Sequence, residues 1–175
     1  MLKINEFTWK IGGPAGFGIM SVGLIFSKIF SRAGYYVVDG KEYPSLIQGG
    51  HNAYTVRIST DKIFSLLNSV NILVSLDENT INAHLDEVAK GGFIVYDKAI
   101  FKNKSFNFKK PGVNFIPVPF DDLIKEIGAP EIVKNNIALG LSVALVNYDF
   151  KILKEIIAES FARKGKEANL VYGVW

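Results

Sequence analysis

Ile11-Gly12-Gly13-Pro14-Ala15-Gly16-Phe17-Gly18 decides how this chain folds. The apolar stretch Phe7 to Ile11 precedes it, and an apolar segment with helical spacing begins near Gly18. That order reads as strand, glycine turn, helix. Gly12, Gly13, Gly16 and Gly18 let the backbone bend sharply and take positive φ, and they leave no side chains between the amides and an approaching group. The helix that follows starts with unpaired N–H groups and the positive end of its dipole, so the turn suits an anion. The competing reading is a tight turn that needs glycine for steric reasons alone. The spacing is not G-x-G-x-x-G, since Ala15 stands where the middle glycine belongs. It is not a P-loop either, since Ile19-Met20 follows Gly18.

Working outward, the helix from Gly18 to Ala33 carries Ile19, Met20, Val22, Leu24, Ile25, Phe26, Ile29 and Phe30, with Ser21, Lys28 and Arg32 on a narrow polar stripe. Such a helix is buried on more than one side. Gly34 ends it, and Tyr35 to Asp39 reads as a second strand. Asp39 lies 21 residues after Gly18, roughly where a ribose-binding acid sits in dinucleotide folds. This raises a free-standing nicotinamide- or flavin-binding module as an alternative function. The plainer reading of Asp39 is a strand-end cap beside Gly40. From Lys41 to Asn52 neither periodicity is present, and long loops in compact domains are usually functional. Pro44 holds Tyr43 extended. Ser45 and Gln48 lie within this loop, and Gly49-Gly50 permits close backbone approach just before His51. His51 is open to three readings: a proton donor, an anchor for a ligand, or a structural histidine.

The remaining chain alternates strands and helices. Ala53 to Ile58 reads as a half-exposed strand, Ile63 to Leu67 as a short apolar piece, and Ile72 to Leu76 as a buried strand. Asp77 is a good N-cap for a helix from Glu78 to Lys90, ended by Gly91-Gly92. His84 reads as a helix-flank residue without function. Phe93 to Tyr96 is the next strand. Between Asp97 and Gly112, lysines interleave with Phe101, Phe106 and Phe108. That mixture suits single-stranded nucleic acid, but a lysine-defended edge hairpin is the preferred reading. A strand at Val113 to Val118 follows, then helices at Asp121 to Ile127 and Glu131 to Val146, and a last helix capped by Asp149. Its apolar face is Phe150, Leu153, Ile156, Ile157 and Phe161. The rhythm predicts an α/β fold, a three-layer α/β/α sandwich with a Rossmann-like, mostly parallel sheet, in one domain over residues 1–175.

The totals narrow the function classes. The net charge of +3 permits an anionic partner but does not demand nucleic acid. The chain has no cysteine, which excludes disulfides, thiolate zinc sites and cysteine-ligated iron–sulfur clusters within it. Met1 to Lys10 lacks an apolar signal core, and the longest apolar run, Ile137 to Val146, is too short to span a bilayer. The expectation is a soluble, cytoplasmic protein without membrane or nucleic-acid partners.

Gly12-Gly-Pro-Ala-Gly-Phe-Gly18, Ala33-Gly-Tyr-Tyr36 and Glu42-Tyr-Pro-Ser-Leu-Ile-Gln-Gly-Gly-His-Asn52 together resemble the gamma domain of 2-oxoacid:ferredoxin oxidoreductases. Pro117-Val-Pro-Phe120 and Asn135-Asn-Ile-Ala-Leu-Gly140 are similar as well. The resemblance looks strongest to the form in which this domain precedes another in one polypeptide. It implies a gamma subunit or domain inside a complex that oxidatively decarboxylates a 2-oxoacid to an acyl-CoA and passes electrons to ferredoxin. It implies alpha and beta subunits or domains as partners. The complex would use thiamine diphosphate, magnesium, iron–sulfur clusters and coenzyme A, with none of these held by this chain alone. No catalytic residue and no metal ligand is carried over. Two positions differ from the family pattern, which has a polar residue where Phe17 stands and arginine where Gln48 stands. Both differences remove an anion-holding group and favour an interface role. The site residues implied, for a cofactor or for a partner surface, are Gly12, Gly13, Gly16 and Gly18 with Tyr43, Pro44, Ser45, Gln48, Gly49, Gly50, His51 and Asn52.

Overall fold

Alternation along Phe7-Thr8-Trp9-Lys10-Ile11 sends three large apolar side chains to one side of a strand and two polar ones to the other. Phe7, Trp9 and Ile11 are buried in the main core, while Thr8 and Lys10 are buried on the opposite face. The computed structural model describes residues 5–43, 50–103 and 105–162. Its strands are β1 (Glu6–Pro14), β2 (Tyr36–Glu42), β3 (His51–Ser59), β4 (Val70–Ser75), β5 (Val88–Asp97) and β6 (Asn114–Val118). Its helices are α1 (Ile19–Arg32), α2 (Glu78–His84), α3 (Phe120–Glu126), α4 (Lys134–Leu145) and α5 (Phe150–Ala162). The sheet order is β2-β3-β1-β4-β5-β6. β3 alone runs against the others, pairing antiparallel with β1 and β2, while β1, β4, β5 and β6 pair in parallel. The mostly parallel α/β sheet is therefore as expected.

One face of the sheet is covered by α1, α4 and α5. Trp9 stacks on Phe26 of α1, ring centroids 4.1 Å apart, and its Nε1–H donates to Ser142 Oγ of α4 at 2.9 Å. A buried indole needs such a partner, because an unpaired donor in the core costs about 1–3 kcal/mol. The other face is covered by α2 and by an aromatic segment. Phe106 stacks on Tyr96 at 4.7 Å and meets Phe101, Phe108 and Phe115 edge to face.

That aromatic cluster corrects the hairpin expected between Asp97 and Gly112. β5 and β6 are parallel, so a crossover must join them. The chain makes a 3-10 turn at Lys98–Phe101 and folds its phenylalanines onto the sheet, which removes the stacking surface that a nucleic-acid strand would need. A second correction concerns the helix expected over Glu78 to Lys90. It ends at His84, a 3-10 turn covers Leu85–Glu87, and Gly91-Gly92 lies inside β5. The β4–β5 register shifts between Val70 and Ile72. Gly91, at φ 84°, sits in that irregularity and its N–H donates to Gly112 O. The glycines serve a strand bulge. A third correction is β3, expected half-exposed. Flanked by β1 and β2, it buries Thr55 and Ser59 as fully as Tyr54, Val56 and Ile58.

A fourth correction concerns the two loops: β1 runs on through Gly12, Gly13 and Pro14, and β2 and β3 take Lys41–Glu42 and His51–Asn52 from the expected loop, while the helix ends follow the sequence closely. Gly34, at φ 86°, closes α1 with Tyr35 N–H on Phe30 O and Gly34 N–H on Ser31 O. Asp77 caps α2 by accepting from the Thr80 N–H at 2.8 Å, and Asp149 accepts from the Lys151 N–H at the start of α5. The polar opening of α4, Lys134-Asn135-Asn136, is buried. Lys134 Nζ reaches Asp97 at 3.0 Å, Asp121 at 2.6 Å and Glu131 at 3.3 Å, pinning α4 to the ends of β5 and α3. Burial alone would lower the lysine's pKa, but these carboxylates outweigh it and raise it.

Gly23 gives a direct test of the packing. It lies in mid-helix on the α1 face that meets β3, where an added Cβ would overlap the Tyr54 ring. Gly23→Ala gains about 1 kcal/mol of helix propensity but overpacks the core at a cost of about 1–3 kcal/mol. We expect a net loss of about 1 kcal/mol in urea unfolding. A stabilised variant would mean that α1 and β3 are not in this contact.

Candidate functional site

The β1–β3 ladder continues to Gly12↔Ala53, Gly13↔Asn52 and Pro14↔His51. Beyond it, Ala15 N–H donates to Gly50 O at 3.1 Å. The glycine turn and the end of the Tyr43–Asn52 segment therefore form one corner at the carboxyl ends of the parallel strands. Each glycine has its own reason. At Gly12 a Cβ would stand 2.6 Å from His51 Cε1 and 2.7 Å from Thr80 Cγ2, so close approach requires glycine. Gly16, at φ 92°, has open space around it at the tip. Gly18 caps α1 at φ 71°, where a Cβ would overlap Asn135 Nδ2. That amide donates to Phe17 O at 2.8 Å, and the Asn135 Oδ1 is buried without a hydrogen-bond partner among the described residues. The steric reading accounts for Gly12 and Gly18, whereas Ala15 and Gly16 are exposed.

Beneath the corner lies a polar cluster built from four elements. Lys10 of β1 is 5% exposed. Its Nζ donates to Glu42 Oε1 of β2 at 2.8 Å and to Glu87 Oε2 after α2 at 2.6 Å. His84 of α2, 4% exposed, places Nδ1 at 2.9 Å from Glu87 Oε1 and 3.3 Å from Lys10 Nζ. Its Nε2 faces His51 Nε2 of β3 at 2.9 Å. His51 Nδ1 looks toward Thr80 Oγ1 at 3.4 Å and Asp77 Oδ1 at 3.9 Å. Burial lowers the His51 pKa; Asp77 opposes this and His84 adds to it. Burial pushes the Glu87 carboxyl up, yet hydrogen bonds from Lys10 and His84 prevail and hold it below its ordinary value.

The structure thus brings Gly12, Gly13, Gly16, Gly18, Gly50, His51 and Asn52 together. Tyr43 is exposed at the end of β2. Pro44, Ser45, Gln48 and Gly49 lie outside the described residues. Asp39 is elsewhere: it sits in the edge strand β2, separated from β1 by antiparallel β3, and accepts from Ser27 Oγ at 2.8 Å. β1 and β2 run in the same direction but are not neighbours, so the unit of two adjacent parallel strands joined by a helix that a dinucleotide reading needs is not formed. His84 is a buried member of the cluster, not a bystander on a helix flank. Sequence reasoning also missed Lys10, Glu42, Thr80 and Glu87 as partners. The available signals were a lysine in mid-strand between Trp9 and Ile11, and a His84/Glu87 pair at helical i,i+3 spacing. Among the described residues no group of three or more His, Cys, Asp or Glu is arranged to hold a metal.

A mixed α/β/α domain with a side-chain-poor corner above a buried ionic cluster is the class that this geometry defines. Residues 8–172 match the pyruvate ferredoxin/flavodoxin oxidoreductase family, and the chain belongs to that family. A 2-oxoacid:ferredoxin oxidoreductase subunit alpha from Sulfolobus sp is 28% identical over 89% of this chain and 30% of its own length. The 2-oxoglutarate synthase subunit KorC of Methanothermobacter marburgensis is 24% identical over 93% of this chain and 90% of its own. The fold matches a 2-oxoglutarate:ferredoxin oxidoreductase from Magnetococcus marinus, solved with 2-oxoglutarate, coenzyme A and succinyl-CoA bound. The TM-score is 0.84 and the identity 26%, over 97% of this chain and 30% of that one. It also matches the keto/oxoacid ferredoxin oxidoreductase gamma subunit of Geobacter sulfurreducens PCA at TM-score 0.73 and 19% identity, over 96% and 97% of the two chains. The chain thus spans about a third of the Sulfolobus and Magnetococcus proteins and nearly all of the KorC and Geobacter ones.

The cluster makes an electrostatic prediction. Removing one partner of a buried ion pair costs about 3–5 kcal/mol, and less here because Glu42 and Glu87 keep some contact with water. Lys10→Met should lose about 2 kcal/mol at pH 7. Glu87 is depressed on folding, so its contribution is full above its unfolded value of about 4.3 and is lost as pH falls through the lower folded value. The gap between wild type and Lys10→Met in urea melts should therefore shrink below about pH 4. A gap independent of pH would contradict the assignment.

Proposed function

We propose that this chain is the gamma-type part of a 2-oxoacid:ferredoxin oxidoreductase and that its role is to dock. The complex carries out oxidative decarboxylation of a 2-oxoacid to an acyl-CoA and hands the electrons to ferredoxin. Alpha and beta subunits or domains supply thiamine diphosphate, magnesium and the iron–sulfur clusters, and coenzyme A is the acyl acceptor. The assembly works in the cytoplasm.

The observation that carries this reading is the convergence of the glycine turn and the β3 tip into one corner, exposed at Ala15 and Gly16. Backbone amides without flanking side chains let another surface approach closely. The names of the relatives support the assignment to such a complex. So does the way this domain matches about a third of two longer chains, where it must lie beside other domains of the same polypeptide.

Affinity purification of the tagged chain from its own cells tests the proposal. We expect it to arrive with companion subunits and with 2-oxoacid- and coenzyme-A-dependent reduction of ferredoxin. Recovery of the chain alone, with that activity in fractions lacking it, would contradict the reading. Ala15→Arg places a bulky charge on the exposed tip. Its stability should stay within about 0.5 kcal/mol of wild type, while association with the companions falls at least about tenfold, a loss of about 1.4 kcal/mol. Unchanged association would place docking elsewhere.

A further inference from the structure

We infer that His51 and His84 form a proton-counting latch that fastens the tip of β3 to α2 and lets go when the pair takes up its last proton. Two imidazole nitrogens 2.9 Å apart share one hydrogen bond, so one Nε2 must carry a proton and the other must not. The outer edges set the rest. His84 Nδ1 faces the Glu87 carboxylate, which wants an N–H, and Lys10 Nζ, which can donate in its place. His51 Nδ1 faces Thr80 Oγ1 and, beyond it, Asp77. Thr80 already gives its hydroxyl proton to Asp77 Oδ1 at 2.6 Å, so it offers His51 a lone pair.

With three protons on the four ring nitrogens each ring nitrogen has a partner, and Lys10 Nζ directs its own protons to Glu42 and Glu87 rather than to His84. Glu87 accepts from His84 Nδ1, His51 Nε2 accepts from His84 Nε2, and His51 Nδ1 donates toward Thr80 and Asp77. The charged groups around the pair are Lys10 from β1, Glu42 from β2, Asp77 at the head of α2 and Glu87 after it. Three carboxylates and one ammonium hold a singly charged pair comfortably. A fourth proton puts N–H against N–H, and the rings must part. Burial works against a further proton on His51, whose nearest carboxylate, Asp77, is 3.9 Å away, whereas His84 has Glu87 at 2.9 Å.

His51 cannot part quietly. Its Cε1 packs against Gly12, its backbone pairs with Pro14, and its neighbour Gly50 holds Ala15. Opening the latch therefore moves the glycine turn, and acid loosens the corner. That this bears on docking rests on the function proposed above; the latch itself does not.

The test is a pH titration of the uniformly 15N-labelled 175-residue chain, without partners, following imidazole nitrogens and backbone amides by NMR between about pH 8 and 4.5. We expect two imidazole steps separated by more than tenfold in proton affinity. The amides of Gly12, Gly13 and Ala15 should move with the more acidic step. In His84→Gln, which can still bond His51 but cannot titrate, His51 should titrate in a single step shifted by more than threefold. Equal affinities for the two rings, or turn amides that ignore the acidic step, would overturn the latch. The wild-type titration decides the matter even if the variant fails to fold, and either result leaves the purification experiment above to stand or fall alone.

Discussion

The antiparallel ladder between β1 and β3 is the constraint on which the rest depends. Its register runs unbroken from Glu6↔Ser59 to Pro14↔His51. Because side chains alternate with period two, one register fixes both faces at once. Phe7, Trp9 and Ile11 join Ile58, Val56 and Tyr54 under α1, while Lys10, Gly12 and His51 meet α2 on the other side. A slip by one residue would put Lys10 among phenylalanines and Trp9 beside Glu87. The ladder ends at Pro14, so it delivers the turn at residues 15–18 and the β3 tip to the same place.

The two faces hold the sheet in different ways. The α1 side relies on volume: Phe26, Phe30 and Trp9 are fully buried, and apolar burial of such side chains contributes about 1.5–3 kcal/mol each. The α2 side relies on charge pairing around Lys10. Such pairing adds little net stability but penalises every arrangement that leaves a member alone. Lys10 is thereby tied to β2, α2 and the turn after it, three elements distant in sequence. This is why a corner with so few side chains of its own can still be held in place.

Strands, the first helix, the Asp77 and Asp149 caps and the α/β class were legible because each rests on local pattern. Of the glycine turn expected from Gly12 to Gly18, only Ala15 to Gly18 leave the sheet, because Gly12, Gly13 and Pro14 continue β1 against β3, a pairing that no local pattern records. What local pattern could not supply was long-range pairing. The reversal of β3 decides that Asp39 is remote from the turn, and nothing near Asp39 records it. Gly91-Gly92 looked like a helix stop because a strand bulge and a helix end ask for the same residue. The Phe101–Phe108 segment reads as a lysine-defended edge hairpin because its lysines dominate the pattern, whereas its aromatics have a sheet face to cover. His84 looked idle because its partners, His51 and Lys10, are 33 and 74 residues away.

On the function proposed, the domain is an α/β support whose docking surface is a few exposed backbone groups at the strand ends. Chemistry then belongs to the assembly. Amide hydrogen exchange, compared between the chain alone and the chain within the complex recovered with it, tests this most directly. Docking at the corner predicts slowed exchange concentrated at residues 15–18 and 50–52, with the edge of β2 and the outer face of α5 unchanged. Equal exchange at those turn amides in both states, with new protection on α5 or β2, would contradict it.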